Sequence, residues 1–152
     1  MSETFASIEQ LLTQHRRIAI DSNVLIYLTE GEGSRADAAA MLVDAVASGR
    51  ADGILSSAAL TEVLVGPARS GDGVAFELLA ATIRDLGIRI VALDAAAAED
   101  AAWIRGQSGL TLPDAIHVAC AIAAGATILV TNDRDIRPRP RLEVAYLDDL
   151  VA

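Results

Sequence analysis

Residues 110–133 read L-T-L-P-D-A-I-H-V-A-C-A-I-A-A-G-A-T-I-L-V-T-N-D. Thr111 offers a capping hydroxyl, and Pro113 sits at a first-turn position that tolerates a missing N–H. Ile116, Ala119, Cys120 and Ala123 recur at helical spacing, and Gly125 supplies a left-handed stop. Ile128-Leu129-Val130 then form a short apolar strand that runs into Thr131-Asn132-Asp133. A helix joined so closely to an apolar strand is an α/β crossover, and strands of this kind belong to parallel sheets. Asp114 opens the helix and Asp133 closes the strand, so two carboxylates bracket one supersecondary unit.

Working outward, the same pattern repeats. Ile18-Ala19-Ile20 is a short apolar strand ending at Asp21, followed by Ser22-Asn23 and a helical segment over 24–28. Ser34 is placed to cap a helix through about Ala47, with Ala38, Met41, Leu42 and Ala45 inward. Ile54-Leu55 form a strand ended by Ser56-Ser57. A helix over 58–65 carries Glu62 and is expected to stop at Gly66-Pro67. Val74–Leu86 predict a helix and Ile88–Leu93 a strand. Asp94 caps a helix to about Gln107 whose Trp103 reads as core. Val144-Ala145-Tyr146 reads as an edge strand. The expected fold is α/β, a single domain with a central parallel sheet and helices on both faces (α/β/α). Residues 1–17 are an N-terminal extension with a probable-helix pattern over 2–14 (Phe5, Ile8, Leu11 and Leu12 on one side), 18–147 the domain, and 148–152 a C-terminal tail.

A chain of 152 residues with 53% hydrophobic content is long enough for one well-buried core. The apolar run 115–131 is interrupted by His117 and Gly125 and falls short of a membrane span. No basic segment precedes an apolar stretch at the N-terminus, so the expected location is cytoplasmic. Cys120 reads as a small core residue. All twelve basic residues are arginine, against 21 acidic ones, for a net charge of −9. The absence of lysine removes P-loop and Schiff-base chemistry. It also disfavours a dehalogenase-type phosphatase and a response-regulator receiver. Aromatic residues make up only 3%, which leaves little for a base-stacking RNA-binding domain.

Four carboxylates stand apart by position: Asp21 and Asp133 after apolar strands, Glu62 in the helix after the second strand, and Asp114 in a first helical turn. In a parallel sheet these positions share the carboxyl edge, where such folds bind ligands. Gathered there, the four repel one another unless some protonate or share a cation. Mg²⁺, or Mn²⁺ in its place, is the natural guest of an oxygen-rich site. Each residue also has an ordinary structural role, since Asp is common in turns and at helix N-termini. Asn23, Thr131 and Asn132 are short polar groups able to orient ligands or waters, and equally able to serve as turn formers. His117 reads as a packed helix histidine rather than a ligand or base. Arg134, Arg137, Arg139 and Arg141 follow Asp133 and either grip an RNA backbone or form a solvated loop.

D-S-N-V-L-I-Y at 21–27, T-E-V-L at 61–64, L-P-D-A-I-H-V-A at 112–119 and L-V-T-N-D-R-D at 129–135 together resemble the PIN-domain nucleases, and among them the VapC-type toxins. The resemblance implies that Asp21, Glu62, Asp114 and Asp133 are an acidic metal-binding quartet, with Asn23 and Thr131 beside it. It implies a Mg²⁺-dependent endoribonuclease in which a metal-activated water attacks a phosphodiester in line. The products would carry 5′-phosphate and 3′-hydroxyl ends, cut from structured RNA such as tRNA or rRNA. It also implies a homodimer. The negative surface further predicts a basic-tailed antitoxin partner. The alternative is a non-catalytic interaction module whose acidic pocket docks a basic partner.

Overall fold

The computed structural model describes residues 7–151. Its strands are β1 (Arg17–Ile20), β2 (Asp52–Ser56), β3 (Arg89–Val91), β4 (Ile128–Thr131) and β5 (Glu143–Tyr146). They form one sheet in the order β3-β2-β1-β4-β5, and every pairing is parallel. The register sets Ala19 beside Ile54 and Leu129, and Thr131 beside Tyr146. Alternation along the strands builds two cores. Ile18, Ile20, Ile128 and Val130 face one, with α1 (Ile8–Gln14), α2 (Ser22–Glu30), α3 (Ser34–Ala47), α4 (Ser57–Ser70) and α5 (Gly73–Asp85). Ala19, Ile54, Leu129 and Val144 face the other, with α6 (Ala95–Ser108) and α7 (Leu112–Ala123). This is the α/β fold expected from the apolar, turn-bounded strands.

Local signals account for most boundaries. Thr111 caps α7, accepting a hydrogen bond from the Asp114 N–H. Gly125 adopts φ +79° just past the helix, where a side chain would be strained. Asp94 caps α6 through the Ala97 N–H at 2.8 Å. Gly53 lies where β2 meets α3; a Cβ there would sit 2.8 Å from both Val46 methyl groups. These contacts hold β2 close beneath its covering helix.

Several expectations change. Gly66-Pro67 does not end α4, which continues to Ser70 and stops at left-handed Gly71. Pro67 lies inside the helix and removes one i→i−4 hydrogen bond there, yet the helix runs on to its glycine stop. Gly33, not Ser34, holds the N-cap position of α3, with φ +86° and no side-chain cap. β3 pairs only over 89–91 and lies at the sheet edge, with Ile90 exposed. Met41 is 47% exposed and Trp103 72% exposed, so neither is core: apolar type alone does not bury a residue when its helix face has no covering layer. Ile8 and Leu11 of α1 are buried, as are Leu147 and Leu150 of a closing 3-10 turn over Leu147–Leu150. The expected helix begins at Ile8 within the described residues; its predicted start at 2–6, including Phe5, lies outside them. No helix among the described residues is long and apolar enough to cross a membrane.

Candidate metal centre

The chain reverses its winding between β1 and β4, the place where ligand crevices form in open parallel sheets. Asp21 leaves β1 at this point. Its N–H still donates to Val130 O on β4 at 3.0 Å, and its carboxylate caps α2 by accepting the Ser22 N–H at 2.7 Å through Oδ1. Oδ2 accepts the Thr131 hydroxyl from the end of β4 at 2.7 Å. Asp21 is 3% exposed and Thr131 fully buried, so this carboxylate is fixed from both strands.

Thr131 is the hub of the crevice. While donating to Asp21, its Oγ1 accepts the Asp133 N–H at 3.0 Å and the Asn23 side-chain amide at 3.4 Å. Asp133 Oδ1 in turn accepts the Asp135 N–H at 2.9 Å, which fixes the loop after β4. Asp114, in the first turn of α7, interacts with Asp133 and Asp21. Its carboxyl is pushed up from the usual 3.8 to about 6, chiefly by burial, then by the neighbouring Asp133 carboxyl and by the charge of Asp21. Thr111 pulls the other way without reversing the shift.

His117 lies one helical turn after Asp114, so both side chains project from the same face of α7. It is 4% exposed. A 2.7 Å hydrogen bond joins its Nδ1 to Ser56 Oγ, at the end of β2. Ser56 is itself fixed as the N-cap of α4, accepting the Ala59 N–H at 3.0 Å. The other ring nitrogen, Nε2, is 2.7 Å from Glu62 Oε1 and 3.5 Å from Asp21 Oδ1. One donor atom from each of Asp21, Glu62 and His117 falls within 4.8 Å of the others.

The predicted residues therefore fall into two linked sets, Asp21 with Glu62 and Asp114 with Asp133, joined through Thr131 and through the charge of Asp21 felt at Asp114. The contribution of His117 is larger than helix periodicity suggested. Its spacing of three from Asp114 was the signal available in the sequence; the contacts to Ser56 and Glu62 come from elements 61 and 55 residues away. Asn132 spans scaffold elements instead, donating to Tyr27 Oη at 3.3 Å and accepting the Asp148 N–H at 3.1 Å.

The four arginines divide. Arg137 and Arg139 line an open cleft of about 460 Å³ together with Ser108, Thr111, Asp114 and Asp135. The buried Nε of Arg139 has no hydrogen-bond partner among the described residues. Arg134 forms a bidentate pair with Asp149 at 2.8 and 2.9 Å and stacks on Tyr146, 4.3 Å from the ring centre. Arg141 lies with Trp103 and Ile122 on the outer surface of α6 and α7.

The donor chemistry fits a divalent cation: carboxylates that crowd one another, an imidazole aimed between two of them, and a buried acceptor, Asn23 Oδ1, without a partner among the described residues.

Residues 18–142 match the family model of the PIN domain, and the chain belongs to that family. Among solved structures, the fold is similar to VapBC2 from Rickettsia felis bound to a DNA fragment from its promoter. That match has 18% identity and TM-score 0.68, covering 86% of this chain and 98% of the other. It is also similar to Mycobacterium tuberculosis VapC20, described as a sarcin–ricin loop cleaving toxin, at 19% identity and TM-score 0.61, covering 80% and 99%. A toxin–antitoxin complex from Klebsiella pneumoniae matches at 22% identity and TM-score 0.61, covering 82% and 94%. Comparison with curated protein sequences gives no match.

Proposed function

We propose that the chain is a metal-dependent endoribonuclease, the toxin of a type II toxin–antitoxin pair. The observation that carries this reading is the convergence of Asp21, Glu62, Asp114 and Asp133 on the carboxyl edge at the β1/β4 switch. PIN-family membership and the fold shared with VapC-type toxins support it. Asp21, Asp114 and Asp133 hold Mg²⁺ or Mn²⁺, and Glu62 holds it or orients water. The bound cation supplies an activated water and neutralises charge on the phosphodiester. Thr131 and Ser22 fix the Asp21 carboxylate through its two oxygens. Arg137 and Arg139, beside Asp114, receive phosphates of structured RNA such as tRNA or rRNA.

The partner reading has its own support. An open groove between α2 and α4 is lined by Ile26, Val63 and Val65 together with Glu30, Glu62 and Arg69. It suits the apolar and arginine-bearing tail of a basic antitoxin, drawn to a chain of net charge −9. The toxin reading also implies a cytoplasmic homodimer. The most exposed apolar side chains, Val74, Leu78 and Trp103, lie on α5 and α6. Light scattering at tens of micromolar, about the range of weak self-association, tests the dimer.

The decisive experiment incubates the purified chain with defined RNA hairpins, with Mg²⁺ or Mn²⁺ or with chelator. Cation-dependent internal cleavage that disappears in Asp21→Asn supports the enzyme. Tight binding of a basic peptide with no cleavage of any RNA favours the non-catalytic docking module.

A further inference from the structure

We propose that His117 is a metal ligand, forming with Asp21 and Glu62 a mixed nitrogen–oxygen cation seat that takes Mn²⁺ or Zn²⁺ ahead of Mg²⁺. The inference deepens the metal-centre reading above and rests on it. An all-carboxylate site gives a hard cation its preferred oxygens, whereas an imidazole shifts preference toward later transition metals.

The geometry already resembles part of a coordination shell. Metal bonds to imidazole nitrogen and carboxylate oxygen are about 2.0–2.2 Å, which sets neighbouring donors about 2.8–3.1 Å apart in an octahedral shell and about 3.3–3.6 Å apart in a tetrahedral one. The two distances from His117 Nε2, 2.7 Å to Glu62 Oε1 and 3.5 Å to Asp21 Oδ1, lie at the two ends of those separations. The three donor atoms already lie within 4.8 Å of one another, and Glu62, with a 43% exposed side chain, has room to move into the shell.

The support around the ring is that of a ligating histidine. Such residues have the second ring nitrogen tied to a fixed group, which sets ring orientation and leaves the first nitrogen's lone pair for the metal. Ser56 Oγ fills this role at 2.7 Å from Nδ1, and it is immobilised by its own capping bond to Ala59. Asp21 is as well supported, held through both oxygens by Ser22 and Thr131. A histidine that merely neutralised Glu62 would not need to stand between two carboxylates. Asp114 is paired with Asp133 and also feels the charge of Asp21, so Asp21 is common to both sets.

The test reads metal binding directly, without RNA. The full-length chain is freed of metal, loaded with one equivalent of Mn²⁺ and measured by electron spin-echo modulation, which detects a directly bound imidazole nitrogen. The wild type should show the nitrogen signal. His117→Asn and, as a check on the buried substitution, Glu62→Gln should lose it or bind Mn²⁺ at least tenfold more weakly, a loss on the scale expected when a metal site is disturbed. Calorimetry should find roughly tenfold or greater preference for Mn²⁺ over Mg²⁺ in the wild type. Bound Mn²⁺ without a nitrogen signal in the wild type overturns the inference, whatever the variants do. If that same protein cleaves RNA, the nuclease reading survives while the histidine ligand does not. A nitrogen signal without RNA cleavage supports the seat and removes the nuclease.

Discussion

Thr131 Oγ1 donates to Asp21 Oδ2 across 2.7 Å, tying together the carboxyl ends of two adjacent parallel strands. The same hydroxyl accepts the Asp133 N–H, so one buried side chain positions two of the four carboxylates. Thr131→Val keeps the shape and β-branch but removes both of these bonds and the longer one from the Asn23 amide. It leaves a buried carboxylate oxygen and an N–H without their partner, which costs about 1–3 kcal/mol. Urea unfolding should show that loss, and RNA cleavage should fall with it. Thr131→Ser restores the hydroxyl and should recover most of the activity. If valine is as stable and active as threonine, the hub role is wrong.

Asp114 gives the metal-free chain a pH dependence of defined sign. Its folded-state pKa, about 6, stands above the ordinary 3.8, so the folded form holds the proton more tightly than the unfolded form. That contribution to stability is fully present below about pH 4 and is lost as pH rises through 6. Asp114→Asn is neutral throughout. In chelator, the stability of the variant relative to wild type should therefore rise between pH 4 and pH 7, and the variant should be the more stable at neutral pH. Denaturant titrations at several pH values check this, and a flat difference contradicts it. With Mg²⁺ present, the same variant should lose more activity than the about 10–100-fold typical of residues that only support metal ligands.

Much of this was legible in the chain because β1 and β4 each carry a short, buried apolar run. Ile18–Ile20 and Ile128–Val130 admit few other readings, and a strand that ends in a carboxylate defines the functional edge. The capping signals at Thr111, Asp94 and Gly125 are local and were readable for the same reason. What could not be read depends on tertiary partners. Nothing near His117 in sequence announces Ser56 or Glu62, and nothing near Trp103 says that its face of α6 is uncovered. Likewise Arg134 and Arg139 look alike in the loop sequence. Asp149 and Tyr146 engage only the first of them.

That division predicts different behaviour for the two arginines. Arg139 lines the cleft beside Asp114, and its Nε has no partner among the described residues. Arg139→Ala should weaken RNA binding and reduce the slope of log affinity against log salt by about 1, the signature of one lost phosphate contact. Arg134 is already committed to Asp149, so Arg134→Ala should leave the salt slope unchanged and lower thermal stability slightly. Fluorescence anisotropy with a labelled RNA hairpin at several salt concentrations separates them. Equal slopes for both variants and wild type would exclude the arginine cleft as the RNA track.

The antitoxin hypothesis makes the last prediction. The groove between α2 and α4 is lined by Ile26, Val63 and Glu62, whose carboxylate is within reach of His117 and near Asp21. A basic tail seated there brings a guanidinium to the carboxylates, and a planar fork binds such groups in bidentate fashion. Cation and guanidinium then compete for the same oxygens. Added Mg²⁺ should weaken binding of the tail peptide, and Asp114→Asn should weaken it by removing charge from the crevice. Calorimetric titration across Mg²⁺ concentration, with both proteins, measures each effect. A tail that binds with the same affinity in every case docks away from the metal centre, and inhibition then works by some route other than displacing the ion.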